Sequence, residues 1–99
     1  MDISVNGDVM HVAGQVDGRR TSELRAELQE LVGSTSGDLV LDLEEVESID
    51  LTALRVIAVV SRDLGESFRH LRLRNASPLV RRLLHLSHLR GLVHFDEAV

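Results

Sequence analysis

Ninety-nine residues suffice for one domain with a single modest core, and the absence of cysteine excludes both a disulfide framework and a thiolate metal site. The net charge of −5 is unevenly spread: residues 1–54 hold three arginines against twelve acids (−9), and residues 55–99 hold eight against four (+4). Such polarity either steers a charged partner or marks two differently solvated faces; with two phenylalanines and no tyrosine or tryptophan, it comes with almost no platform for stacking bases.

The N-terminus MDISVNGDVMHV lacks the basic start and apolar run of a signal peptide. Ile3 and Val5 alternate with polar residues, Asn6-Gly7 supplies the pair favoured by a type I′ turn, and a second strand is predicted over 8–13. GQVDGRR reads as a loop. TSELRAELQELVG then places Leu24, Leu28, Leu31 and Val32 at helical spacing, with Thr21 or Ser22 as N-cap and Gly33 as stop. DLVLDLEEV is a predicted strand whose run Leu39-Val40-Leu41 fits cover on both faces. The acidic tract DLEEVESID overlaps the end of that strand and reads as solvated; its carboxylates lack the spacing of a hard-cation loop.

A helix over 52–64, closed by Gly65, follows, and it is apolar on nearly every side. At 100° per residue Ala53, Val56, Ile57, Val60 and Leu64 form a core stripe, and Arg55 and Arg62 face away from it. Ala58 and Val59 fall on the flanks, where either neighbouring loops cover them or a partner docks on them. Thr52 is either a plain N-cap or a phosphate acceptor at a helix start, where the dipole tolerates negative charge.

HLRLRN is a strand with Leu71 and Leu73 inward and Arg72 and Arg74 outward. ASPLVRRLLHLSHLRG is a helix capped by Ser77, with Pro78 at its first position and Leu79, Val80, Leu83, Leu84 and Leu86 as its buried stripe. LVHF is a last strand, and DEAV begins a helix that stops with the chain. The order β-β-α-β-α-β-α-β predicts one α/β domain over residues 1–99, with a mixed, mostly parallel sheet of about five strands packed with helices.

No chemistry is written into this chain. There is no glycine-rich phosphate loop, so no nucleotide or other cofactor is expected. No serine sits in a nucleophile elbow, and the protein is not expected to be an enzyme. His85 and His88 share a helical face, but no spacing supplies a third metal ligand; no metal site is expected. The acidic balance and scarce aromatics argue against nucleic acid. No window approaches the roughly 18 apolar residues of a membrane span, so a cytoplasmic chain is expected.

The order of elements, LVLDLEEV, SIDLTAL, RNASPLVRRLLHLSHLRGL and VHFDEAV together resemble the STAS family, whose best-known members are bacterial anti-sigma factor antagonists. In that family an Asp-Ser-Ser/Thr-Gly-Leu segment opens the second helix. Its first hydroxyl is phosphorylated by an anti-sigma kinase, and the unphosphorylated form binds the kinase and frees a sigma factor. The resemblance aligns Asp50 with the aspartate, Leu51 with the phosphorylated serine, Thr52 with the second hydroxyl, Ala53 with the glycine and Leu54 with the leucine. Leucine cannot accept phosphate. The resemblance therefore leaves an unswitched antagonist, a switch displaced to Thr52, or a different partner. It implies a partner surface of Asp17, Asp50, Leu51, Thr52, Ala53, Arg55, Ala58, Val59 and Arg62, and a last helix that is short or absent. Its alternative is an accessory subunit docking an ABC-type transporter ATPase; a homodimer through the hairpin edge is a further option.

Overall fold

The alternating residues at the N-terminus form β1, Asp2–Asn6, which turns back antiparallel into β2, Val9–Val16; the computed structural model describes residues 1–96. Asn6 pairs with Val9, so the two-residue loop is Gly7-Asp8, one step beyond the predicted pair. Only Gly7 has a positive φ (64°), which is the type II′ pattern, where the glycine comes first. β2 also runs three residues past the predicted end, through Gly14 at φ 86°. A residue with a Cβ resists that angle, and Gly14 lies at one of two register shifts between β2 and its neighbour.

A 3-10 turn, Gly18–Arg20, leads into α1, Thr21–Ser34, which buries Leu24, Leu28 and Leu31. Neither Thr21 nor Ser22 is the cap: Asp17 caps the preceding turn, and Gly33 lies inside the helix. β3, Leu39–Ile49, runs three residues past the predicted end at Val46 and takes in all but the last residue of the acidic tract, with Glu44, Glu45 and Glu47 exposed along it. It pairs parallel with β2 and gains one residue on it at each register shift, so the two strands still end together.

α2, Leu51–Gly65, crosses to β4, Leu71–Arg74, and α3, Pro78–Leu86, crosses to the two-residue β5, His94–Phe95. The sheet runs β1-β2-β3-β4-β5, antiparallel only at the hairpin. Every crossover moves one strand in the same direction, and right-handed connections then place all three helices on one face. Leu39, Leu41, Leu43, Leu71 and Leu73 bury that face, whereas Val40 on the other is only half-buried. The expectation that β3 is covered on both faces is thus corrected. The mixed α/β architecture is as the element order implies.

α3 is capped by Ser77, whose Oγ accepts from Val80 N at 3.2 Å, with Pro78 at its first position. Its predicted stripe is too wide. Val80 and Leu84 are buried, but Leu79 and Leu86 are each 61 % exposed. The helix lies at the end of the sheet where β5 is two residues long, so the sheet cannot cover both of its flanks. Beyond Asp96, the helix expected from DEAV falls outside the described residues.

One buried group in the core lacks a partner. The Ser61 hydroxyl on α2 makes no hydrogen bond among the described residues. Removing an unsatisfied buried hydroxyl relieves its desolvation cost, and alanine suits a helix better than serine. Ser61→Ala is expected to raise stability by about 1 kcal/mol, read as a higher urea midpoint with unchanged slope.

Candidate functional site

Because β2 and β3 end side by side, the segments leaving them emerge together at one end of the sheet. Asp50 N donates to Val16 O at 3.2 Å and holds them there. In open α/β sheets this carboxyl end of the strands is where ligands and partners are met. Asp50 is the N-cap of α2: its Oδ1 accepts from Ala53 N at 2.9 Å and its Oδ2 from Gly18 N at 2.7 Å. One carboxylate thus closes the helix start and clamps the 17–20 turn to it. Capping by Asp50 makes Leu51 the first helical residue and Thr52 the second, so Thr52 is not the N-cap.

Asp17 stands at the head of the clamped turn. The Arg19 guanidinium and the Arg19 backbone N–H, both bonded to it, hold its carboxyl below the usual aspartate range. Thr52 is exposed, and its hydroxyl has no partner among the described residues; it packs close beside Gly18, where an added Cβ would lie 3.5 Å from the threonine Cβ. Leu51 is half-buried. From Thr52 the exposed positions Arg55, Val59 and Arg62 continue at steps of three and four along one side of α2.

Two residues of the expected surface are not on it. Ala53 and Ala58 are both fully buried. The helical wheel treats α2 as a cylinder resting on a plane, yet α2 is wedged between α1 on one flank and the 3-10 turn Arg90–Leu92 on the other. Its flanks are therefore core, and most of its apolar character is accounted for by burial. What remains outside is polar apart from Val59, 36 % exposed, and the half-buried Leu51 in the first turn.

The two histidines considered for a metal do not share a helical face. α3 stops at Leu86, and His88 sits beyond it at φ 63°, in the turn closed by Leu89 N donating to Leu84 O. No three His, Asp or Glu side chains converge among the described residues in a way that could hold a metal ion, and no helix there is long and apolar enough to cross a membrane.

On the open face of the sheet lies a cluster that sequence reasoning passed over. Asp42 is buried, with Oδ1 accepting from Glu44 N (3.0 Å) and Asn75 Nδ2 (3.1 Å) and Oδ2 facing His11 Nδ1 at 3.3 Å. Burial pushes its pKa up, but the bonds from Glu44 and Asn75 and the nearby His11 and Arg74 outweigh that and leave it below the ordinary value. Glu44 lies within the first register shift, between the pairs His11–Asp42 and Ala13–Glu45, so Asp42 satisfies an N–H where the ladder is interrupted. The available signal was a single aspartate inside the apolar run LVLDL.

Comparison with known proteins gives a family and a fold. The family model described as Mlab, STAS domain, matches residues 1–94. The anti-sigma factor antagonist of Mycobacterium paratuberculosis is similar at 22% identity and TM-score 0.77, over 96% of this chain and 83% of that one. The Bacillus anti-sigma factor antagonist SpoIIAA in its unphosphorylated form is similar at 16% and 0.73, over 99% and 88%. The murine anion transporter Slc26a9 carries the same fold at 18% and 0.71 over 92% of this chain, which spans 16% of that much longer one.

Proposed function

We propose, from the premise that this chain belongs to the STAS family, that it is a non-catalytic, cytoplasmic regulatory module that sequesters an anti-sigma factor by partner exchange. The observation that carries this is the joined site at the sheet end. Asp50 locks the 17–20 turn against the start of α2, and an exposed row of Thr52, Arg55, Val59 and Arg62 leads away from it. A rigid, preorganised surface lowers the ordering cost of binding. With Leu51 at the family's usual phosphate position, Thr52 is the acceptor in this reading. Its free hydroxyl is one residue into the helix, where a phosphate is favoured by the helix dipole and acts on the partner by charge and bulk.

The test is a pull-down from host lysate with the wild-type chain, Val59→Asp and Thr52→Glu as baits. Capture of an ATPase-fold anti-sigma factor by wild type, lost with both variants, is the expected result. Capture that survives Val59→Asp places the interface elsewhere. Incubation with that anti-sigma factor and ATP is expected to phosphorylate Thr52, and phosphate found at another residue removes the displaced switch.

A second reading is the alternative the sequence left open, an accessory subunit of a transporter; the fold also occurs as part of an anion transporter chain. In it the same surface docks a transporter ATPase, Thr52 is a contact, and the pull-down returns transporter components.

A further inference from the structure

α2 ends in a Schellman-type turn: Arg69 N donates to Leu64 O at 3.0 Å, and the residue before Arg69, Phe68, is held at φ 58°. Glycine is the usual occupant of that left-handed position, and a side chain there brings its Cβ against the backbone. The predicted stop, Gly65, lies three residues earlier, within the helix. Phe68 is also 92 % exposed, so its ring gains nothing from burial. An aromatic residue thus carries a backbone strain and a solvation cost together, in a chain that has only two phenylalanines.

A hollow lies beside it. A groove of about 260 Å³ between the ends of α1 and α2 is lined by Val32, Val60, Asp63, Leu64, Ser67 and Arg69 among others, so both chain neighbours of Phe68 border it. Val32, Val60 and Leu64 give it apolar walls. The Arg69 guanidinium is pinned at its edge by Gly37 O (2.9 Å), Val32 O (3.1 Å) and Thr35 Oγ1 (2.9 Å). The other phenylalanine shows what arginine does with an aromatic ring in this molecule: Phe95 has Arg81 4.2 Å and Arg90 4.3 Å from its centroid.

A protruding ring and a hollow on one surface are self-complementary, since a two-fold axis between two copies places each ring in the opposite hollow. The charges obey the same symmetry. Arg62, Asp63 and Glu66 are exposed at this end of α2, and the Arg62–Asp63 contact (3.4 Å) joins adjacent residues that are both more than half exposed, a pairing of little worth as it stands. Two antiparallel copies of α2 set Arg62 of each against the acidic side chains of the other.

We propose that this end of the molecule is a homodimer interface in which Phe68 of each copy fills the groove between α1 and α2 of the other, beside Arg69, with Arg62 facing Asp63 and Glu66 across the two-fold axis. Thr52 lies twelve residues from Leu64 on α2, about 18 Å by helical rise. Arg62 belongs to both surfaces, so Phe68 and Glu66, which lie outside the partner-binding row, are the positions that separate the dimer contact from the partner-binding end.

Sedimentation velocity on the full chain from roughly 1 to 100 µM tests this. Wild type is expected to shift from monomer to dimer with concentration. Phe68→Gly suits the left-handed backbone, so it is expected to melt no lower than wild type while weakening the dimer at least about tenfold. Glu66→Arg is expected to weaken it too, and Arg62→Glu combined with Glu66→Arg to restore it. A protein that stays monomeric throughout overturns the proposal, as does a dimer unaffected by Phe68→Gly, which would form through another surface such as the free edge of β1. A double variant no better than Glu66→Arg alone removes the pairing across the axis.

Discussion

Replacing Asp50 with alanine is expected to lower stability by about 2–3 kcal/mol, as the sum of a lost N-cap and a lost charged hydrogen bond, and to abolish partner binding as well. The carboxylate accepts from Ala53 N on its own helix and from Gly18 N across 32 positions of sequence. The first bond settles where α2 begins. The second holds the 17–20 turn against Thr52. Asp50→Asn separates the two, because Ala53 N and Gly18 N use different carboxylate oxygens and an amide keeps an acceptor in only one of those places; about half the loss is expected. Urea unfolding measures the stability effect, as a lower midpoint at unchanged slope. Val59→Asp supplies the contrast: it lies on the exposed row and should lose binding with little change in stability. An Asp50→Ala variant as stable as wild type would mean that water replaces both bonds and that the turn is held by something else.

At Asp42 the second large effect is expected, and it depends on pH. Its buried carboxylate serves Glu44 N, Asn75 Nδ2 and the neighbouring His11. Asp42→Ala leaves Glu44 N and Asn75 Nδ2 without their acceptor and opens space on the sheet face, for an expected loss of about 2–3 kcal/mol. Its folded pKa is held below the unfolded value. The charged form therefore contributes stability that is complete above the unfolded aspartate pKa, about 3.9, and is lost as pH falls through the lower folded value. Asp42→Asn keeps an oxygen for the two donors that use Oδ1 and loses the charge. It should cost less than alanine at pH 7 and flatten the acid limb of stability against pH. Urea midpoints measured from neutral pH down to about 3, bracketing that pKa, decide it. An acid limb identical in Asp42→Asn and wild type would assign the acid sensitivity to other carboxylates.

Much of the architecture was legible because its signals are local. The hairpin announces itself by alternation and a glycine turn, α3 by Ser77-Pro78, and β4 by the alternation of leucine and arginine, each within a few residues. Where expectation and structure part, a neighbour distant in sequence is the cause. β3 continues past Val46 to Ile49 because β2, more than 30 residues earlier, runs beside it that far. The buried stripe of α3 was drawn too wide because nothing in its periodicity says that β5 is only two residues long.

The candidate site divides in the same way. The sequence by itself determined that a largely apolar helix follows β3, that Leu51 stands where the resemblance expects a phosphorylated hydroxyl, and that Thr52 is the hydroxyl nearest to it. These are properties of residue order. Only the tertiary structure decided which apolar residues of α2 remain outside: Val59 does and Ala58 does not, because α1 and the Arg90–Leu92 turn close both flanks of the helix. It also decided that Asp50 ties Gly18 to the helix start, and that Asp42 inside an apolar run finds its partners in Asn75 and His11. Burial and long-range hydrogen bonds are set by which segments meet in space, and periodicity records only how each segment presents itself to them.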